Sequence, residues 1–502
     1  MRFGKQLGVL VLAAMILLAA ATARGFEYDE AYSVFVTSPT PRPSWPTTVF
    51  RAGEVRGAFT AHAGPLAIAR ALRETDVHPP LYFWTLAAWR RIAGDGLLAM
   101  RSLSILCALI ALLAVGAIAR TVRIPAALAM LLTVGCYGFA YTGAVARGFA
   151  LAQALDLCGV LVLLRAERAG GALLGGMALG AATFTNYLSA FTGLAALAWL
   201  LASRMRRPSL WLSAGFGFAA FLPADLWFFL AQRASRAGQF PPFRLAPSLA
   251  RLAKYGTASL FGGLPMYVGG SARVVVGALV GGLAVGLAGL LVWRWRAVGS
   301  EARWLLLACA AATPLGLLAL GAAFGNTPIE LRYLCFATPF AALLLAGALA
   351  AGRGRRIAGG GVVAVQAMAI AGLILRPETM QPAREAARTA ASLAGADAVV
   401  VLPRGNDGVG VVGPFLAELP NRTRVLLVGA NEDPSALRAR LPPGPVVLAL
   451  LGQDADSLAA SDTIRAAFPA GCWQPTARGC ATIRLGPGAA TSDARPPHRG
   501  GG

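Results

Sequence analysis

The sequence predicts a polytopic α-helical membrane protein with a small C-terminal α/β domain, and three observations support this class. The chain has 502 residues, of which 57% are hydrophobic and 14% are charged, whereas soluble domains average about 45–50% and 25%. Its arginines are grouped in short segments between apolar runs, the charge pattern that orients membrane helices. After Arg376 the composition becomes that of a soluble domain.

Eleven apolar runs are candidates for membrane-spanning helices, which need about 20 mostly apolar residues. They cover residues 8–24, 98–119, 125–145, 148–164, 171–186, 187–203, 209–230, 271–293, 304–324, 334–351 and 357–375. The first run ends in Ala21-Thr22-Ala23, which also resembles a signal-peptidase site. We expect a retained helix there, because the acidic residues that follow need an anchor at the membrane surface.

Arginine clusters in alternate short loops predict the orientation of these helices. The clusters are Arg120/Arg123, Arg165/Arg168, Arg204/Arg206/Arg207, Arg294/Arg296/Arg303 and Arg353/Arg355/Arg356. The positive-inside rule places all five in the cytoplasm together with the N-terminus. The loops 25–97, 231–270 and 325–333 and the C-terminal region then face outward. The formal charge of +22 follows this membrane pattern and does not indicate a nucleic-acid partner.

The segment after residue 375 alternates between strand and helix patterns, which predicts a small α/β domain. Predicted strands cover Ala398–Leu402, Val425–Val428 and Val446–Leu451, and predicted helices cover Glu378–Ala394, Val411–Leu419, Ser435–Leu441 and Asp456–Phe468. We therefore expect a transmembrane domain over 1–375 that includes the loop 25–97, an extracytoplasmic α/β domain over 376–486, and a disordered tail over 487–502. Gly408, Gly410 and Gly413 form a GxGxxG pattern, but the preceding strand ends too early for a dinucleotide site, so we interpret it as a glycine-rich turn.

Two of the seven cysteines lie outside the apolar runs. Cys472 and Cys480 are in a polar segment near the C-terminus. If that segment is extracytoplasmic, an oxidising compartment allows them to form a disulfide. No Cys/His spacing suggests a zinc site.

Two polar elements flank the first outward loop. The vicinal acids Asp29 and Glu30 follow the first apolar run, and a His-Pro-Pro-Leu-Tyr element runs from His78 to Tyr82. An acid pair at a helix exit is often only a solvated helix end. A general base held at the membrane surface, within reach of a lipid-borne substrate, is the functional alternative.

This arrangement resembles the GT-C glycosyltransferases, integral membrane enzymes that use polyprenyl-phosphate sugars. The resemblance is strongest to the family 39 group, which contains protein O-mannosyltransferases and the aminoarabinose transferases of lipid A. In that group an acid pair opens the first extracytoplasmic loop and a His-Pro-Pro-Leu-Tyr element closes it. The resemblance covers residues 1–200 well and the rest of the chain only in layout.

The resemblance implies an inverting sugar transfer at the extracytoplasmic membrane face. It makes Asp29 the general base, which takes the proton of the acceptor hydroxyl, and it places His78 at the rim of the cavity. Glu30 then orders the site or, with Asp29, holds a divalent metal such as Mg²⁺ or Mn²⁺. The donor is a polyprenyl-phosphate sugar, and the acceptor is a protein, a lipid or a glycan.

Three cations are candidates for the donor phosphate. Arg147 matches the last residue of a Glu-Ala-Arg run in the family, although Val145 stands where the Glu would be, and lipid-headgroup contact is an equal alternative. Arg332 belongs to an Arg-Tyr pair typical of the family, and Lys254 is a weaker candidate. Tyr82, Glu330 and Tyr333 are expected to line the substrate cavity. Asn186 replaces a His that many relatives carry, which weakens any role for it.

Two other classes of function fit the same layout. One is a transporter or flippase for a lipid-linked glycan, but transporters keep their key charges at the bilayer midplane and show internal repeats. The other is a non-catalytic assembly subunit, because a fold alone does not establish activity. The expected location is a bacterial inner membrane, with a cytoplasmic N-terminus and an extracytoplasmic C-terminal domain.

Overall fold

The computed structural model describes residues 2–232, 240–298, 302–351, 355–377, 383–395, 397–452, 454–468, 472–475 and 481–485. Its α-helices are α1 (Arg2–Ala23), α2 (Tyr28–Val36), α3 (Gly57–Thr60), α4 (Pro65–Thr75), α5 (Leu81–Ala93), α6 (Leu97–Thr121), α7 (Ala126–Gly135), α8 (Tyr137–Gly143), α9 (Phe149–Arg165), α10 (Ala169–Thr183), α11 (Ser189–Ser203), α12 (Pro208–Ala219), α13 (Leu222–Gln232), α14 (Leu245–Phe261), α15 (Ala272–Trp293), α16 (Ala302–Phe324), α17 (Thr338–Ala350), α18 (Arg355–Leu375), α19 (Ala383–Ala394), α20 (Val412–Glu418), α21 (Pro434–Ala439) and α22 (Ala455–Ala467). Its strands are β1 (Phe50–Arg51), β2 (Val399–Pro403), β3 (Arg424–Val428), β4 (Val446–Leu450), β5 (Cys472–Pro475) and β6 (Ala481–Leu485).

The chain divides into two compact units. The membrane unit comprises residues 1–23 and 65–376, and the α/β unit comprises residues 24–64 and 377–502. The predicted boundaries differ from this division, because the sequence analysis placed the whole loop 25–97 in the transmembrane domain. Residues 24–64 instead contact the C-terminal segment, and residues 65–97 stay with the membrane unit.

The membrane unit is a polytopic helical bundle, as predicted. Among the described residues, six helices are long and apolar enough to cross a membrane, and the pair α7–α8, bent by 73° at its break, makes a seventh candidate. The other predicted runs contain α9, α10, α11 and α17, which have 17, 15, 15 and 13 residues. Each predicted run therefore contains helix, while the count of eleven membrane spans stays a prediction.

Small residues let the helices of the membrane unit approach closely. A Cβ atom on Gly176 of α10 would lie 2.0 Å from the carbonyl oxygen of Ala214 in α12, and one on Gly217 of α12 would lie 2.4 Å from that of Leu173. Backbone contact of this kind is how helices associate where no hydrophobic effect drives them together. A side chain at either position would therefore force the two helices apart.

The α/β unit contains a six-stranded sheet in the order β1-β3-β2-β4-β6-β5, and the central β3, β2 and β4 are parallel. The predicted central strands are present because they are continuous apolar segments, which suit strands buried on both faces. One face packs on α21 and α22 through residues such as Val401, Leu437 and Ile464. The short strand β1 pairs antiparallel with β3 and was not predicted.

The segment 24–64 is bound to the α/β unit by specific contacts. The Trp45 indole donates to the carbonyl of Gly408 at 2.6 Å, and the Arg56 guanidinium donates to the carbonyl of Ala417. A Cβ on Gly410 would lie 2.0 Å from the Tyr28 ring. The GxGxxG segment is therefore a turn on which the first loop packs, which confirms its interpretation as a structural element.

Candidate active site

The candidate residues fall in both units. Asp29 and Glu30 belong to the α/β unit, and the remaining ones, His78, Tyr82, Arg147, Lys254, Glu330, Arg332 and Tyr333, belong to the membrane unit. Cys480 lies outside the described residues, so the predicted disulfide with Cys472 stays a prediction.

Asp29 and Glu30 occupy the first turn of α2, which begins five residues after α1 ends. Glu27 is the N-cap residue, and its side chain and that of Glu30 form a reciprocal capping box with each other's backbone N–H groups. The backbone N–H of Glu27 donates to Glu30 Oε2 at 3.0 Å, and Glu30 is fully buried. Glu30 therefore fixes the start of the helix, and this arrangement satisfies two N–H groups that a helix terminus leaves without a partner.

Asp29 has a different environment from its neighbour. The segment that carries Asp29 is helical. Successive helical side chains diverge by about 100°, so Asp29 projects away from Glu30 and is half-buried. A carboxylate in the first turn is stabilised by the helix dipole. Asp29 is thus a partly exposed acid on a rigid element, which suits a general base.

The pair does not fit a metal site. Glu30 uses its carboxylate in the capping box, and among the described residues no three His, Cys, Asp or Glu side chains are grouped to hold a metal ion. We therefore derive no step of the reaction through a divalent cation.

Two tyrosines of α2, Tyr28 and Tyr32, lie close to Asp407. The Tyr32 hydroxyl donates to Asp407 Oδ2 at 2.7 Å and lies 3.0 Å from the Tyr28 hydroxyl. Burial, together with the neighbouring hydroxyl and carboxylate, raises the pKa of Tyr32 well above its ordinary value, and burial also raises the pKa of Tyr28. Both phenols therefore stay protonated and hold α2 against the glycine-rich turn.

In the membrane unit, Asp76, His78 and Arg147 form a buried polar network. His78 Nδ1 lies 2.7 Å from Asp76 Oδ1, and Arg147 Nη2 lies 3.0 Å from His78 Nδ1 and 3.4 Å from Asp76 Oδ2. Asp76 is 5% exposed and Arg147 is 4% exposed. His78 Nδ1 thus faces two partners: when protonated it donates to Asp76, and when unprotonated it accepts from Arg147, because a carboxylate only accepts and a guanidinium only donates.

The network keeps Asp76 ionised. Burial alone would raise the pKa of this carboxyl, but the Arg147 guanidinium, the His78 ring and the backbone N–H of Val77 outweigh it and hold the pKa well below its usual range. A buried charge of this kind needs its partners, because an unpaired carboxylate in a low dielectric is costly. Asp76 therefore orients His78 and neutralises Arg147.

A second layer of hydrogen bonds fixes the loop that carries His78. The Gln232 amide donates to the carbonyls of Leu72 and His78 at 3.0 and 2.9 Å. The Tyr187 hydroxyl donates to Gln232 Oε1 at 3.0 Å. The end of α13 and the loop before α11 thus hold the end of α4 and the start of the His-Pro-Pro segment, so His78 is presented by a rigid turn.

The tyrosine of the His-Pro-Pro-Leu-Tyr element is a packing residue in this structure. Tyr82 is 1% exposed, and its ring packs edge-on against Phe83 at 5.4 Å. Gly148, directly after Arg147, lies against Tyr82 and the carbonyl of Thr185. The absence of a side chain on Gly148 allows this close approach. The approach places the neighbouring Arg147 beside the loop that carries His78.

A third group of candidates lies around the 3-10 helix Leu331–Phe336. Arg332 Nη2 lies 2.7 Å from Glu330 Oε2, and both side chains are partly exposed. The Tyr333 ring packs 6.4 Å from that of Phe149, two residues after Arg147. Tyr333 therefore connects this helix to the start of α9.

Lys254 lies on α14, next to Tyr255. Its ammonium is 5.9 Å from the ring centre of Tyr255, and Tyr255 and Tyr333 pack on a common core of Leu317, Ile329 and Leu334. Lys254 is exposed. Within the described residues no carboxylate forms an ion pair with it, so its charge is not neutralised as that of Arg147 is.

Two residues of this site were not predicted from the sequence. Asp76 was visible two positions before His78 but was not assigned a role, and Gln232 ends an apolar run with no local signal. Asn186, which departs from the family pattern, accepts a hydrogen bond from the backbone N–H of Leu188 at 3.1 Å. It is buried and serves the turn before α11.

A family model described as dolichyl-phosphate-mannose-protein mannosyltransferase matches residues 77–227. This region contains most of the His-Pro-Pro-Leu-Tyr network, including His78, Arg147 and Tyr187. None of the curated proteins matches the chain.

Two solved structures are similar to this chain. ArnT from Cupriavidus metallidurans in the apo state is 14% identical, with a TM-score of 0.51, and the match covers 98% of this chain and 99% of that one. ArnT from the same organism bound to undecaprenyl phosphate is 14% identical, with a TM-score of 0.48 and coverage of 97% and 99%. The chain therefore has the fold of the apo ArnT structure, a polytopic helical membrane fold, and the family match agrees with the resemblance seen in the sequence.

Proposed function

We propose that the protein is an inverting glycosyltransferase that moves a sugar from a polyprenyl-phosphate donor to a hydroxyl acceptor. The observation that carries the proposal is the buried network of Asp76, His78 and Arg147, because it lies almost wholly in the region that the mannosyltransferase model matches. The undecaprenyl phosphate bound by the solved ArnT structure is consistent with this class of donor.

Asp29 is the proposed general base. Its carboxylate takes the proton of the acceptor hydroxyl while that oxygen forms a bond to the anomeric carbon. The bond between the anomeric carbon and the phosphate oxygen breaks on the opposite side, and its electron pair stays with the lipid phosphate. Direct displacement inverts the anomeric configuration. The departing polyprenyl phosphate is a stable phosphate monoester anion, so the leaving group needs little protonation.

Charge decides among the candidates for the donor phosphate. Arg147 is neutralised by Asp76 and acts on His78, which favours a positioning role for it. Arg332 and its partner Glu330 are both partly exposed, and such pairs are weak enough to exchange for a phosphate. We therefore assign the phosphate first to Arg332, with Lys254 as a second cation on the adjacent α14 and Arg147 as a third.

The proposed location is a bacterial inner membrane, with the reaction on the outer face. The arginine clusters of the short loops support this orientation. The acceptor is a protein, a lipid or a glycan.

The test is to identify the lipid that co-purifies with the full-length protein by mass spectrometry and then to incubate it with the enzyme. We expect a polyprenyl-phosphate sugar that loses its sugar when acceptor-containing membrane extract is added. A bound lipid-linked oligosaccharide that crosses the membrane unchanged would identify a flippase and overturn the proposal. The complete absence of a polyprenyl lipid and of sugar transfer would also reject it.

A further inference from the structure

A cavity in the α/β unit contains three arginines that the proposed reaction does not use. Its volume is about 470 Å³, and it is lined by Arg51, Ala391, Gly395, Pro420, Arg422, Thr423 and Arg424. This volume falls in the range of about 300–1,000 Å³ that small-molecule sites occupy. All lining residues belong to the α/β unit, so the cavity lies within one compact unit.

The three positive charges have no carboxylate to balance them. None of the ion pairs among the described residues involves Arg51, Arg422 or Arg424. Other arginines of this unit do have such partners: Arg384 pairs with Glu418 at 2.9 Å, and Arg440 pairs with Glu432. The cavity therefore holds an unbalanced cluster in a unit whose arginines are otherwise often paired.

The sheet register brings two of these arginines together. Arg51 of β1 and Arg424 of β3 are direct partners across an antiparallel pair. Like charges in directly opposite positions destabilise a sheet. An anion between the two guanidinium groups would turn this repulsion into attraction.

The partial negative charge at the C-terminal end of α19 does not neutralise the three arginines. Ala391 of the last turn of α19 and Gly395, the residue after that helix, line the cavity, and the Arg424 guanidinium donates to the carbonyl of Asp397 at 3.4 Å. A helix C-terminus carries about half of one negative charge, whereas the cavity presents three positive charges. Most of the positive charge thus remains for a ligand.

We propose that this cavity binds an oxyanion, a phosphate or a carboxylate, on a molecule the size of a sugar. The guanidinium fork suits both groups, because it donates two parallel hydrogen bonds to two oxygens. Phosphate-bearing and uronic-acid saccharides combine such a group with a body that fits the cavity. The site is separate from the donor phosphate, which the proposed function assigns to residues of the membrane unit.

The experiment uses isothermal titration calorimetry to measure the binding of glucose 6-phosphate and of glucuronate to the full-length protein in detergent. Glucose is the uncharged control ligand. We expect binding of at least one anion and none of glucose. Arg422→Gln and Arg51→Gln should each weaken binding about tenfold or more, as loss of a charged hydrogen bond predicts. Arg465→Gln, at an exposed position of α22 that does not line the cavity, should leave it unchanged.

A further variant separates this site from the donor site. Arg332→Gln should retain full anion binding, since Arg332 belongs to the membrane unit. Equal binding by Arg422→Gln and the unaltered protein, or loss of binding in Arg332→Gln alone, would overturn the proposal. Lack of binding by both anions at millimolar concentration would do the same, and it would leave the proposed sugar transfer unaffected.

Discussion

Replacing Asp76 by Asn tests the buried network of the membrane unit. The substitution keeps the shape of the side chain but removes its charge, and it leaves Arg147 buried without a counter-charge. Breaking a buried ion pair in this way typically costs about 3–5 kcal/mol. The contacts of Arg147 with Asp76 are long, at 3.4 and 3.5 Å, while that of His78 is short, at 2.7 Å. We therefore expect a loss of stability near the lower limit, about 3 kcal/mol.

The assay is thermal unfolding of the purified full-length protein, followed by tryptophan fluorescence. Asp462→Asn is the matched control, because it removes the same charge from an exposed pair with Arg465 whose side chains are 76% and 49% exposed. Exposed pairs contribute only about 0–1 kcal/mol, so this variant should unfold at nearly the same temperature as the unaltered protein. If Asp76→Asn were no less stable than Asp462→Asn, the network would not be the buried ion pair described.

The pH dependence has a defined sign. The pKa of Asp76 is lowered in the folded state, so the unfolded chain binds the proton more readily and stability rises with pH in the acid range. The advantage of the unaltered protein over Asp76→Asn should be complete above about pH 5 and should shrink as the pH falls below about 4, the ordinary pKa of Asp. An advantage that grew on acidification would contradict the assignment.

Three further predictions address the donor, the topology and the C-terminal cysteines. Arg332→Gln should weaken donor binding by about ten- to hundredfold, as loss of a charged hydrogen bond does, and an unchanged donor dependence would exclude it as a phosphate ligand. A reporter fused after Arg376 should be active only outside the cytoplasm, so cytoplasmic activity would reverse the orientation. Thiol labelling of the unreduced, denatured protein should miss Cys472 and Cys480, and ready labelling of either would exclude the disulfide.

Local patterns in the sequence were sufficient for most of the secondary structure. The strands β2, β3 and β4 are continuous apolar segments, and the membrane helices are long apolar runs, so each was visible without knowledge of its neighbours. The start of α2 carries a local signal as well, since Glu27 and Glu30 have the spacing of a capping box.

Contacts between distant parts of the chain were not predictable. The two-residue strand β1 exists because Phe50 and Arg51 pair with β3. Strand β3 lies more than 370 residues later in the sequence. No local pattern shows that residues 24–64 join the C-terminal segment. The same holds for Gln232, whose amide supports His78 across 154 positions.

The candidate site was predicted by motif and not by geometry. His78 and Arg147 were selected because they resemble family positions, and the structure brings them within 3.0 Å of each other. Asp76 makes this contact favourable because its carboxylate contacts both His78 and Arg147. It lies two residues before His78 in the sequence. Whether a carboxylate so near a motif is a partner or a solvated loop residue depends on its burial, and the burial of a loop residue is not visible in sequence.

The central claim is that Asp29 is the base for sugar transfer, and the rate of transfer by Asp29→Asn tests it most directly. Asn keeps the shape but cannot take the proton of the acceptor, and general-base catalysis contributes about 10²–10⁴-fold. With purified protein, donor lipid and acceptor, turnover should fall by that factor while donor binding is retained. Glu30→Gln is the matched control and should affect stability more than rate, since Glu30 is buried in the capping box. Transfer by Asp29→Asn at the unaltered rate would contradict the mechanism.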